Sequence, residues 1–75
     1  MLYNTNTIKQ IQQIPIYEKY NLTITEAAQY FNIGEKNLRK IVANDPTADY
    51  ILMVGNKVLL KRKLFEKFMD ETNSI

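Results

Sequence analysis

The side chains with the clearest binding chemistry lie in the stretch from Glu35 to Asn44, whose apolar spacing predicts an amphipathic helix. Leu38, Ile41 and Val42 share one side of this helix. The other side presents cations, amides and one small residue: Lys36, Asn37, Arg39, Lys40, Ala43 and Asn44. Cations bind phosphates or guanine, asparagine pairs with adenine, and alanine can meet a thymine methyl group. This face indicates DNA recognition, although lysine and asparagine are also ordinary solvent-facing residues.

The charge distribution supports the same interpretation. Between Glu35 and Lys63 there are seven basic and three acidic residues, a net charge of +4, whereas the remainder of the chain carries −2. The total of +2 is a weak argument for a nucleic-acid partner, but the concentration of positive charge in the middle is a stronger one. A solvated, lysine-rich surface is the alternative explanation.

The composition argues against an enzyme. The chain has no cysteine and no histidine, so disulfides, thiolate metal sites and the commonest general base are absent. The carboxylates show no pairing suited to acid–base catalysis, and the two glycines form no phosphate-binding loop. We therefore expect no catalytic site, no metal and no cofactor. Without a signal-peptide run or an apolar run of about 20 residues, we expect a cytoplasmic protein with no membrane partner.

Two helices joined by a tight turn are predicted to hold the binding face. Thr25 is the expected N-cap of the first helix, which continues through Phe31. The residues Asn32-Ile33-Gly34 break this helix, and Gly34 is an acceptable N-cap for the next. Asp45-Pro46 ends the second helix near Asn44. This arrangement matches the helix-turn-helix pattern, which small domains also use merely to turn the chain.

A β-hairpin is predicted directly after the second helix, with Tyr50–Val54 and Lys57–Lys61 flanking Gly55-Asn56. A two-residue turn fixes the register. Alternation then places one set of residues on the core face: Ile51, Met53, Val58 and Leu60. Leu52 and Leu59 face the other way, and the sequence leaves open whether they are covered.

Together the elements predict a single small α+β domain, a winged helix-turn-helix in the order helix, helix, hairpin, helix. Residues 1–13 are expected to form a flexible arm, and residues 14–72 the DNA-binding domain. Tyr17 and Tyr20 are expected to form a short turn whose rings cover the core edge. A last helix begins near Arg62, and its Phe65/Phe68 stripe is expected to lie in the core.

Other residues are candidate DNA contacts because of their predicted positions. Thr23 and Thr25 lie at a helix N-terminus, which attracts phosphate, and Thr25 is expected to cap the helix at the same time. Asn56 and Lys57 lie at the wing tip, where they can reach the minor groove or the backbone; a tight turn also prefers asparagine. Lys61 and Arg62 join the hairpin to the last helix, and only part of that basic run is expected to reach DNA.

Three segments resemble the excisionases of Gram-positive conjugative transposons, small winged-helix proteins related to MerR-type DNA-binding heads. The segments are IPIYEKYNLTI before the first helix, YFNIGEKNLRK through the second, and GNKV with KRKLFEKF at the end. The resemblance covers residues 14–70 and leaves out the N-terminal arm. The hydrophobic Leu52 and Leu59 depart from the polar outer wing face expected of such a protein.

The resemblance implies a role as a recombination directionality factor. Such proteins bind double-stranded DNA near the ends of a mobile element, bend it, and help a tyrosine-recombinase integrase to excise the element. By analogy, Lys36, Asn37, Arg39 and Lys40 read the major groove, and the wing takes the adjacent minor groove. The C-terminal helix, or residues after it, is then available to the integrase or to neighbouring copies on DNA.

Two other functions remain open on the sequence. A small winged-helix transcriptional regulator would use the same DNA-binding surface without depending on an integrase. A protein-interaction module would show no affinity for duplex DNA even at low salt, and its outer helix face would be expendable. The +4 segment argues against this last function but does not exclude it.

Overall fold

The computed structural model describes residues 14–75 and confirms the α+β winged-helix class. The predicted flexible arm, residues 1–13, lies outside the described residues. In chain order the elements are a 3₁₀ turn at Ile16–Glu18, β1 at Asn21–Thr23, α1 at Ile24–Phe31, α2 at Glu35–Asn44, β2 at Ile51–Val54, β3 at Lys57–Lys61 and α3 at Arg62–Asp70. Within this range no helix is long and apolar enough to cross a membrane.

The turn between α1 and α2 forms as the sequence predicts. Asn32 ends α1 in the left-handed conformation, with φ 56° and ψ 46°, and its backbone N–H donates to the Ala28 carbonyl. Asparagine tolerates this conformation better than most residues. Gly34 is the N-cap of α2, and Asp45 is its C-cap. The predicted bounds of α2 are therefore confirmed.

The predicted N-cap of α1 was wrong by two residues. Thr23, not Thr25, caps this helix: the Glu26 N–H donates to Thr23 Oγ1 at 3.1 Å, and the Thr23 N–H donates to Glu26 Oε1 at 3.0 Å. This reciprocal pair is a capping box, which satisfies two backbone donors that would otherwise lack partners. Thr25 lies inside the first turn with its side chain exposed.

We expect Thr23→Ala to destabilise the domain by about 0.5–2 kcal/mol, because the substitution removes the hydroxyl that accepts from Glu26 N–H. Thr25→Ala removes an equal side chain from an exposed position and should change stability by less than about 0.5 kcal/mol. Urea-induced unfolding of the two variants makes the comparison. An equal loss in both would show that the capping box contributes little.

The hairpin has the predicted register, in which Val54 pairs with Lys57 and Ile51 with Leu60. Gly55 has φ 62°, a conformation that its missing side chain permits. The sequence did not reveal β1, which pairs antiparallel with β3 and places Leu22 opposite Leu60. The sheet order is β1-β3-β2, so β2 forms one edge of the sheet.

The predicted core face of the hairpin is only partly confirmed. Leu60 is fully buried, and Ile51 and Val58 pack against the core. The assignment of Met53 to the core was wrong: Met53 lies near the tip of the hairpin and is 54% exposed. Leu52 and Leu59, which the sequence left undecided, are both half-buried.

The core is small and centres on Phe65, which is fully buried. The ring of Phe65 lies 4.9 Å from each of Phe31 and Tyr50 and 5.4 Å from Phe68, measured between centroids. The contacts with Phe31 and Tyr50 are edge-on, and aromatic contacts of this kind add to the stabilisation that burial gives. The prediction that the Phe65/Phe68 stripe belongs to the core is therefore confirmed.

The prediction that the rings of Tyr17 and Tyr20 cover the core edge was wrong. Tyr17 lies in the 3₁₀ turn and is 61% exposed, and Tyr20 is 72% exposed. The turn is held by backbone bonds instead, with the Glu18 N–H donating to the Pro15 carbonyl at 2.9 Å.

Candidate nucleic-acid interface

The polar face of α2 is open to solvent. Leu38 and Ile41 are buried beneath the helix, whereas Lys36, Asn37 and Lys40 are exposed. In the part of the chain that the structure describes, neither Lys36 nor Lys40 forms an ion pair. Both ammonium groups are therefore available to an anionic ligand.

Arg39 occupies the flank of this face and has one acidic neighbour. Its Nη2 lies 3.6 Å from Oε1 of Glu35, one helical turn earlier, and the two side chains are 65% and 45% exposed. Ion pairs so exposed contribute little, because water and salt screen them. The pair can open when a stronger anion approaches.

A groove separates α2 from the hairpin and brings five of the predicted site residues together. We call it the helix–wing groove; its lining consists of Thr23, Ile24, Thr25, Arg39, Asn56, Lys57 and Val58. A second, almost wholly apolar hollow adjoins it and is lined by Ile24, Arg39, Val42, Ala43 and Val58. The start of α1, the flank of α2 and the wing tip thus border one continuous surface.

The two threonines at the start of α1 have different capacities for binding. Thr23 already uses its hydroxyl and its N–H in the capping box, whereas Thr25 is exposed and lines the groove. The carboxylate of Glu26 is held in place by an ion pair with Lys19. Burial alone would raise the pKa of Glu26, but the hydrogen bonds from Lys19 and Thr23 outweigh it, and the pKa lies below its ordinary value.

Two further predicted residues lie apart from the helix–wing groove. Asn44 is exposed at the end of α2 and borders a different hollow, which Phe68 and the C-terminal residues also line. Lys61 is half-buried at the opposite end of β3 from the wing tip, beside Asn21 of β1. Neither is brought next to Lys57.

Arg62 is engaged inside the domain, and only 14% of its side chain is exposed. Its Nε donates to the Lys19 carbonyl at 2.7 Å, and its Nη1 donates to Glu66 Oε2 at 2.9 Å. The guanidinium also lies 5.9 Å from the centre of the Tyr30 ring. These contacts hold the start of α3 against the segment before β1, so we leave Arg62 out of the proposed DNA contacts.

Glu66 receives a second hydrogen bond in this cluster, because the Tyr30 hydroxyl donates to its Oε2 at 2.6 Å. The bonds from Tyr30 and Arg62 both favour the charged carboxylate, and they lower the pKa of Glu66 against the opposing effect of burial. The four-residue spacing of Arg62 and Glu66 was the signal in the sequence; the contact with Tyr30 required the fold.

The fold and this surface define a winged helix-turn-helix domain with a cationic outer helix face. A family model described as "Excisionase from transposon Tn916" matches residues 6–75. A protein of Streptococcus agalactiae serotype V with the same description is 47% identical over 62 residues, which span 83% of this chain and 92% of that relative. The chain belongs to the family of excisionases from transposon Tn916. This confirms the resemblance inferred from the sequence and gives the chain an excision-related function.

Proposed function

We propose that this protein binds specific double-stranded DNA sites near the ends of a mobile element and bends them. The bend helps a tyrosine-recombinase integrase to assemble on those ends, so that excision proceeds. In this role the protein is cytoplasmic and contributes no catalytic group; the integrase cuts and joins the strands. Family membership supports the link to excision, and the surface of α2 and the wing supports the DNA contact.

The observation that carries the proposal is the exposed cationic face of α2. Lys36 and Lys40 lie on the side of α2 opposite the buried Leu38 and Ile41. Arg39 lies on the flank of that side and lines the helix–wing groove. A major groove about 12 Å wide admits an α-helix, and residues near the start of the helix usually reach the bases. Lys36, Asn37 and Lys40 lie in that part of α2.

The wing supplies the second contact of the proposal. Gly55 and Asn56 form a two-residue turn, which keeps the tip narrow enough for a minor groove about 6 Å wide. The DNA backbone between the major and minor grooves then lies over the helix–wing groove of the protein. There the Arg39 and Lys57 cations and the Thr25 hydroxyl can contact phosphate oxygens.

Footprinting on the terminal sequences of the host element, with and without integrase, tests the proposed function. We expect discrete protected sites without integrase and an extended complex when integrase is added. A gel shift should show binding that weakens with salt at a log–log slope near −4 to −5, as about five neutralised phosphates require. Binding and bending that never promote excision with integrase would favour a transcriptional regulator, and no affinity for duplex DNA would favour a protein-interaction module.

Asn37→Ala should change base preference more than overall affinity. An asparagine that forms paired hydrogen bonds with adenine contributes roughly 1–3 kcal/mol of discrimination at one base pair. We expect that discrimination to disappear at a single position, with the salt slope unchanged because no charge is lost. Competition binding against a set of single-base variants of the site measures the discrimination, and repeating it at several salt concentrations gives the slope. Equal weakening on every duplex would contradict a base-reading role for Asn37.

A further inference from the structure

An apolar side chain lies exposed beside the wing tip, where a solvated hairpin would be expected to carry polar residues. Met53 is 54% exposed and is one residue from the end of β2. Its neighbour Val54 is 53% exposed and precedes Gly55 in the turn. Two large apolar residues at a protruding tip lose the benefit of burial, which invites a functional explanation.

The core does not account for the position of Met53. Ile51, two residues earlier on the same face of the strand, packs against the core, and so does the cross-strand partner Val58. In the described part of the chain, Met53 is neither buried nor among the residues packed against the core. It continues the apolar face of the hairpin beyond the edge of the core.

The position of Met53 is continuous with the proposed DNA surface. Met53 and Val58 are directly opposed in the antiparallel ladder and therefore share a face of the ribbon. Val58 lines both the helix–wing groove and the adjoining apolar hollow. Lys57, opposite Val54, lines the helix–wing groove as well. Met53 thus lies on the wing, next to residues that line the helix–wing groove.

We propose that Met53 is an apolar wedge that enters the minor groove with the wing, partly unstacks one base step and so contributes to the bend in the DNA. The proposal rests on the proposed function and adds the physical origin of the bending. Methionine is one of the residue types that open base steps from the minor groove, and such insertions kink the duplex. Its unbranched thioether chain adapts to the irregular surface of a base step.

The test measures the bend on a short duplex that carries a single binding site and a fluorescent dye at each end. Energy transfer between the dyes gives the bend angle, and the same duplex gives affinity and salt slope. We expect Met53→Ala to reduce the bend by at least about 20°, the smallest kink typical of an apolar wedge. The salt slope should remain unchanged, because no phosphate contact is lost.

Two control variants define the interpretation. Met53→Leu keeps an apolar side chain of similar volume and should retain most of the bend. Ile75→Ala removes an apolar side chain of comparable exposure, 58%, at the C-terminus and should leave the bend unchanged. All three proteins should unfold at nearly the same temperature as the parent, since each substituted residue is more than half exposed.

Several outcomes would overturn the wedge. One is an unchanged bend in Met53→Ala while the parent bends the same duplex. Another is an effect that appears only on DNA with several adjacent sites, which would assign Met53 to a contact between copies through the edge strand β2. If the parent itself neither bound nor bent the duplex, the proposed function would fail as well, and that result is distinct from the first two.

Discussion

Replacing Lys36 and Lys40 together by alanine will lower affinity for the terminal DNA sites by roughly 10–100-fold at 0.1 M salt. Each neutralised phosphate contributes about 0.9 to the log–log salt slope, so two lost contacts should reduce the slope by about 1.8. Both lysines are exposed on the same face of α2, and no carboxylate in the described chain is paired with either. Fluorescence anisotropy at several salt concentrations gives affinity and slope from one titration series.

Two controls distinguish direct contacts of Lys36 and Lys40 with DNA from a general effect of lost net charge. Changing both lysines to arginine keeps the charges and should leave the salt slope within error of the parent. Lys67→Ala removes an exposed cation from α3, beside the acidic Asp45, Asp49 and Glu71, and should change affinity little. If Lys67→Ala lost half as much affinity, on a logarithmic scale, as the double variant, only net charge would matter.

Phe65→Ala will destabilise the domain by about 3–5 kcal/mol, the usual loss when a buried phenylalanine leaves a cavity. A domain the size of residues 14–72 has a free energy of unfolding of roughly 3–9 kcal/mol, so this single change removes a large share of it. Phe65 is fully buried and contacts rings from α1, from the segment before β2 and from its own helix. Urea-induced unfolding followed by circular dichroism measures the loss.

Leu64→Ala is the matched control, because Leu64 precedes Phe65 on α3 and is 36% exposed. We expect a loss below about 1.5 kcal/mol, since only part of the side chain leaves an apolar environment. If Phe65→Ala cost no more than Leu64→Ala, the aromatic cluster would not be the centre of the core.

The parts of this fold that local signals control were predictable from the sequence. Gly34 and Pro46 bracket α2, and the two-residue turn at Gly55-Asn56 leaves only one register for the hairpin. The helical periodicity of apolar residues in α2 also predicted that Leu38 is buried and Lys36 exposed. These predictions needed no information from distant residues.

Other features depend on contacts between distant parts of the chain. A three-residue strand such as β1 has no periodicity to detect, and it forms because β3 offers it backbone partners. Alternation correctly predicted which face of the hairpin Met53 lies on, but it could not show that the core ends before Met53. The capping box was a missed local signal, since Thr23 and Glu26 have the required spacing.

The candidate site shows the same division. The exposed face of α2 was predicted from helical geometry, whereas the helix–wing groove joins residues from three separate segments and required the fold. A charge count treats Arg62 as a free cation, although the Lys19 carbonyl, Tyr30 and Glu66 hold its guanidinium. Counting charges therefore overestimates the cations that can reach a ligand.

The central claim is that the outer face of α2 and the wing tip together form the DNA-binding surface. Nuclear magnetic resonance titration of the labelled protein with a duplex from the end of the host element tests it directly. We predict that the largest shifts in amide resonances fall on residues 35–40, on Thr25 and on Asn56 and Lys57, with small shifts along α3. Shifts concentrated on α3 and the C-terminus, with residues 35–40 unmoved, would contradict the account.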